Sequence, residues 1–179
     1  MIFRIDRVYC LGYFFDNFRR KNILIILFPQ YHIMKAENPS FAALNHLIAA
    51  YTVTSQNARF CHWNVVGPHF EDDHEFFGEL YDELSDEVDL FAERIRALRM
   101  TPISRFSDIL QETKITEYAL PMTARQMQKN MLAEYEHISS EMQGFAETTS
   151  VDPVTQDIIV GSLRQIDKRA WMMRSMLGE

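Results

Sequence analysis

The sequence predicts an all-α fold, a bundle of four long helices whose second and third members are joined by a long crossover. Three observations predict it. From about residue 34 onward, apolar residues recur at intervals of three and four, the helical period. Nothing in residues 34–179 alternates Val, Ile or Thr with polar residues as a half-buried strand would. One connection, residues 100–122, is long enough to cross the whole bundle and to hold a short helix of its own. At 179 residues the chain can bury a sizeable core as one domain.

The first helix is expected over residues 40–65. Leu44, Leu47, Ile48, Tyr51 and Ser55 share one face, and Gly67-Pro68 ends the run. The second spans residues 71–99, with an apolar stripe of Phe77, Leu84, Val88, Phe91, Ile95 and Leu98. Between Leu84 and Leu98 the spacing alternates four and three, the seam of a bundle. A short helix is expected over 106–112 in the crossover. The third long helix covers residues 123–147. The fourth starts at Asp152-Pro153, a cap followed by proline at the first helical position, and runs to about Leu177.

Residues 1–33 differ in kind. They are aromatic and basic without a clear helical period, and form an N-terminal extension before a body of residues 34–179. The extension reads either as an arm that docks on the body or binds a partner, or as an in-frame stretch upstream of a start at Met34. It carries five bases and two acids, net +3, which leaves −10 of the overall −7 for the body. Such a body suits cations and repels nucleic acid. The longest apolar run, residues 23–28, is far short of the ~20 residues of a membrane helix, and no signal-peptide pattern follows it. Cys10 and Cys61 form no Cys-x-x-Cys pair, so neither a disulfide framework nor a structural zinc site is expected. A reducing compartment, the cytoplasm, fits.

Metal-ligand chemistry concentrates in the second helix and just before it. His62 and His74 stand twelve positions apart, and Asp89 and Glu93 follow four apart. On one straight helix His74 and Asp89 lie ~22 Å apart, an order of magnitude more than a metal–ligand bond. Their helical phases nevertheless agree to within about 100°. A second copy of the helix, antiparallel across a two-fold axis, would set Asp89 and Glu93 of one chain opposite His74 of the other, with His62 in reach. A site inside a single bundle would need a Glu-x-x-His pair on each of two helices and a lone Glu on each of the other two. Glu71–His74 and Glu134–His137 match that pair, but the first helix holds no carboxylate, so the site cannot be assembled.

The chain resembles the Dps family, the starvation-inducible DNA-binding mini-ferritins of the ferritin-like superfamily. The resemblance covers about residues 40–177. It rests on His62-Trp63-Asn64, Gly67, Phe70, His74 and Asp89-x-x-Ala92-Glu93-Arg94, with a weaker echo in Asp167-Lys168 and Trp171. It implies a ferritin-like four-helix bundle assembled into a homo-oligomeric shell of twelve chains. Such shells oxidise Fe(II), preferably with hydrogen peroxide, store Fe(III) and protect against oxidative damage. The implied iron ligands are His62 and His74 of one chain with Asp89 and Glu93 of its two-fold partner. Trp63, directly after His62, is either an electron donor that limits radical escape or a packing residue.

Two departures accompany the resemblance. The family usually carries Asp or Glu four residues after the second histidine, where this chain has Gly78, so one oxygen near the metal is missing. A glycine often follows the position of Leu98, where this chain has Arg99. The first departure keeps a second function in view, a ferritin-like cage or interaction protein with impaired ferroxidase activity.

The remaining candidates have plain structural readings. His46 and His137 are expected at the surface or an interface, His69 in a solvated turn, and Cys61 as a small packed thiol. Glu71, Asp72 and Asp73 suit a helix start. Glu141 reads as a solvated acid, and Glu134 as either pore-lining or solvated. Little or no DNA binding is expected at physiological salt: the tail after Met34 offers only Lys35 against Glu37, and the leader from Met1, though net +3, is too apolar to resemble a free tail.

Overall fold

The computed structural model describes residues 38–179. The extension at 1–33 and Cys10 lie outside them. Among the described residues there are five helices and no strand: α1 (Pro39–Asn64), α2 (Phe70–Ala97), the short α3 (Phe106–Glu112), α4 (Ala124–Glu147) and α5 (Pro153–Leu177). Helix α1 packs mainly on α2, and α4 mainly on α5. The crossover between the two hairpins carries α3, which lies against α1. This is the expected four-helix bundle with a short helix between its second and third members.

The helix ends follow local chemistry. Asn38 caps α1 by accepting from the Phe41 N–H, with Pro39 at the first position. Thr123 and Gln126 form a reciprocal capping box at α4. Asp152 caps α5 through the N–H groups of Val154 and Thr155. Helix α2 ends two residues earlier than the sequence pattern suggests. Met100 N–H bonds to the Ile95 carbonyl and Arg99 N–H to that of Arg96, a closure that needs a left-handed residue between them. Arg99 supplies it at φ 63°.

Tyr51, Tyr135, Phe41, Phe77, Phe91, Leu44, Leu47, Leu80 and Ile95 are fully buried in the core. The expected face of α1 is buried throughout. In α2, Phe77, Leu84, Phe91 and Ile95 are buried, whereas Val88 and Leu98 are only half-buried. Two asparagines of α1 fix the path of the crossover. Asn45 accepts the Ile103 N–H, and twelve residues on Asn57 donates to the Thr116 carbonyl and accepts the Tyr118 N–H. Between these points Ile109 packs on Ala49 and Val53, flanked by Ile103 and Ile115. Arg94 closes the other side, pairing with Asp152 at 2.8 Å and donating to Thr155 at the start of α5.

Candidate metal centre

Helix α2 begins where the turn at residues 65–69 brings its first coils beside the last coil of α1. His62 and His74 meet there. Their rings stack with centroids 3.7 Å apart and planes 21° from parallel. Each Nδ1 lies 2.7 Å from the other residue's backbone carbonyl, His62 to His74 and His74 to His62. A carbonyl only accepts, so both Nδ1 atoms carry the proton. In the neutral rings both Nε2 atoms then hold a free lone pair, the form in which imidazole ligates a metal.

The seat beneath His62 is made by Gly78. A Cβ at that position would stand 3.2 Å from His62 Nδ1 and 3.4 Å from Cε1. The bare backbone there lets the ring lie close against α2. Tyr81, one turn on, meets His62 edge to face at 5.4 Å, and Phe70 stacks on His74 at 5.1 Å.

Asp89 and Glu93 are exposed, about two turns and one turn before the C-terminal end of α2, with no hydrogen bond or ion pair to the described residues. Among those residues no three of His, Cys, Asp and Glu converge as a metal site within the chain. Helix α1 contains no carboxylate, and the inward acids of α2 have other partners. Glu83 bonds the Arg169 guanidinium, which also reaches Glu79 at 2.9 Å. Glu87 accepts from Ser162 and, at 3.1 Å, from Gln165. These acids are therefore already engaged within the chain.

The other acids and histidines find individual roles. Trp63 is 64% exposed, so it is not a core residue of the chain. Asp73, from the acidic run, is buried and accepts from Gln128 on α4. His69 occupies the N-cap position of α2 and makes no capping bond. Cys61 is buried, and burial together with nearby Glu134 pushes its thiol up to about 12. Glu134 is neither solvated nor paired with His137. It accepts from Asn57 at 2.8 Å, and burial pushes its carboxyl up to about 7. His46 bonds Glu141 at 2.8 Å and lies 3.6 Å from Glu112, so it is tied down rather than free at the surface. His137 stands 3.4 Å from the same Glu141. Apart from His137 and Glu141, one turn apart on α4, sequence spacing carried no sign of these pairs, nor of the contact between Gly78 and His62, because the others join different elements.

Three comparisons bear on the pattern. The family model described as "Ferritin-like domain" matches residues 41–179. DNA protection during starvation protein 2 of Bacillus anthracis is 33% identical over 138 residues, 76% of this chain and 94% of that protein. The chain belongs to the Dps family. Its fold agrees with solved Dps structures. The crystal structure of Dps from Staphylococcus aureus superposes with a TM-score of 0.75 at 32% identity, covering 77% of this chain and 94% of that one. The Dps protein from Vibrio cholerae O1, described as a member of a broad superfamily of ferritin-like diiron-carboxylate proteins, gives 0.75 at 27% identity, covering 80% and 91%. As in the sequence reading, the helix carrying His74, Asp89 and Glu93 is the second of the Dps bundle. Among the described residues no helix is long and apolar enough to cross a membrane.

Proposed function

We propose that this Dps-family chain is a cytoplasmic ferroxidase that takes up Fe(II), oxidises it with hydrogen peroxide and retains Fe(III) inside a shell of twelve copies. The observation that carries the reading is the crossed hydrogen bonding of His62 and His74, which turns two imidazole lone pairs outward from the protonated Nδ1 atoms. Asp89 and Glu93 of a second copy supply the carboxylates, and imidazole with carboxylate is a fitting donor set for Fe(II). Iron here is the substrate. In each turnover two Fe(II) give one electron apiece to a peroxide, the O–O bond breaks, and two protons are taken up to leave two waters. Trp63, beside His62 and exposed, is positioned in sequence to reduce an escaping radical. The acidic body leaves DNA unbound at physiological salt.

The test is an anaerobic Fe(II) titration followed by peroxide or by oxygen, with the assembly state read by sedimentation. Saturable binding and oxidation faster than for free iron, in the assembled protein only, support the reading. A verified monomer that oxidises iron at full rate defeats the inter-subunit site. Binding without accelerated oxidation favours the second reading, a cage with impaired ferroxidase activity. The bare Gly78 gives that reading its physical basis, since no carboxylate oxygen approaches the histidine pair from α2 itself.

A further inference from the structure

Helix α2 is strongly one-sided in charge. Between Phe70 and Ala97 it holds eleven acids and two bases, net −9. Both bases are engaged at its end, Arg94 with Asp152 and Arg96 with the Met100 carbonyl. Asp82, Asp86, Asp89 and Glu93 form one exposed stripe at spacings of four, three and four. Among the described residues the stripe has no ion pair. Acids so spaced repel along a helix.

One cation borders this stripe. Arg59 is the only Lys or Arg of α1. Its guanidinium lies 4.7 Å above the ring of Tyr81, the residue that precedes Asp82 in α2, and its one hydrogen bond goes to neutral Gln56 at 3.3 Å. No carboxylate of the described residues pairs with it. Among the described residues the chain thus presents an acidic stripe without a countercharge and, packed on Tyr81 of the same helix, an arginine without an acid.

We infer that a second copy of the chain joins them: Arg59 pairs with Asp82 and Asp86 of the second copy, and this exchange holds the α2 faces together. The inference rests on the inter-subunit reading of the iron site, which sets the two-fold axis midway between His74 and Asp89, beside Asp82. Two Asp82 carboxylates then face each other across the axis, and the Arg59 of each copy stands where it offsets their repulsion. The same axis brings Leu90, 41% exposed, against the Phe70–His74 ring pair of the other copy, where Phe70 is 47% exposed. Charge and apolar surface are complementary under one operation.

The full chain carrying Arg59→Glu, Arg59→Gln, or Arg59→Glu with Asp82→Arg is compared with wild type by sedimentation at about 0.05 M and about 0.5 M salt, with helix content checked by circular dichroism. Arg59→Glu should weaken self-association on the order of tenfold or more at low salt, Arg59→Gln less, and the charge exchange should restore it. The gap should narrow at high salt. Wild-type association in Arg59→Glu, a defect indifferent to salt, or failure of the exchange to restore it overturns the pairing. Cobalt(II) absorption on the same samples separates the underlying site. Full cobalt uptake by a monomeric variant sinks the inter-subunit iron site, while the pairing is judged by sedimentation alone.

Discussion

His62 and His74 hold each other: each ring donates from Nδ1 to the other's backbone carbonyl at 2.7 Å, and the two rings stack at 3.7 Å. The clamp joins the last coil of α1 to the first of α2 and fixes the tautomer of both rings. Neither imidazole can be lost without disturbing the other.

Gly78 is the seat of that clamp. Gly78→Ala places a methyl 3.2 Å from His62 Nδ1, so the ring must give by a few tenths of an ångström. Helix propensity alone would make the alanine about 1 kcal/mol more stable. Cobalt(II) or Fe(II) binding should weaken, while the propensity gain and the strain on the His62 ring oppose each other in thermal stability. Gly78→Asp adds an oxygen at the same steric cost and should bind metal better than Gly78→Ala. Equal affinity in wild type and both variants would show that His62 is not a ligand.

Glu93→Gln preserves size and removes the charge that would hold Fe(II). Peroxide-driven oxidation should fall on the order of tenfold or more, with sedimentation unchanged. Undiminished oxidation would move the iron site elsewhere.

Stability should decline as pH rises through neutrality, for two reasons of the same sign. Burial raises Glu134 from 4.5 to about 7, so the folded chain keeps a proton that the unfolded chain releases. That contribution is complete below 4.5 and lost as pH rises through about 7. His46, held above its ordinary 6.5 by the Glu112 and Glu141 carboxylates, contributes fully below 6.5 and loses its contribution above it. Glu134→Gln keeps the acceptor for Asn57 and should be more stable than wild type above pH 7, by at most roughly 3 kcal/mol. Denaturant melts from pH 5 to 9 decide it. A parallel pH dependence in wild type and variant would remove Glu134 as the cause.

Arg99 holds a left-handed conformation that costs a side-chain-bearing residue about 1–2 kcal/mol. Arg99→Gly should therefore raise stability by about 1 kcal/mol, less the added freedom of the unfolded chain. A destabilised variant would mean that the arginine side chain makes a compensating contact.

Most of the fold was legible because it is written in local chemistry. Proline after Asp152, the short helix at Phe106–Glu112 and the apolar seam from Leu84 to Ile95 all depend on neighbours within a few residues. The end of α2 was not legible, since a left-handed arginine violates the preference on which the reading relied. For the candidate site, spacing and phase singled out His62, His74, Asp89 and Glu93 and showed that one helix could not unite them. The clamp, the Gly78 seat and the burial of Glu134 could not be read. Each depends on which coil of α1 lies against which coil of its neighbour, and single-helix periodicity carries no such register.

The two asparagines of α1 have a consequence for how the molecule opens. They tie the crossover by side-chain amides at Ile103 and at Thr116–Tyr118, while the α1–α2 and α4–α5 hairpins close through their own packing. The crossover can therefore detach as a unit with both hairpins intact, a partial opening below the free energy of global unfolding. In hydrogen exchange the Ile103 and Tyr118 amides should become labile together. They are far apart in sequence, yet both fastenings must yield, together with the Ile109 packing and the His46–Glu112 contact, before the strap between them comes free.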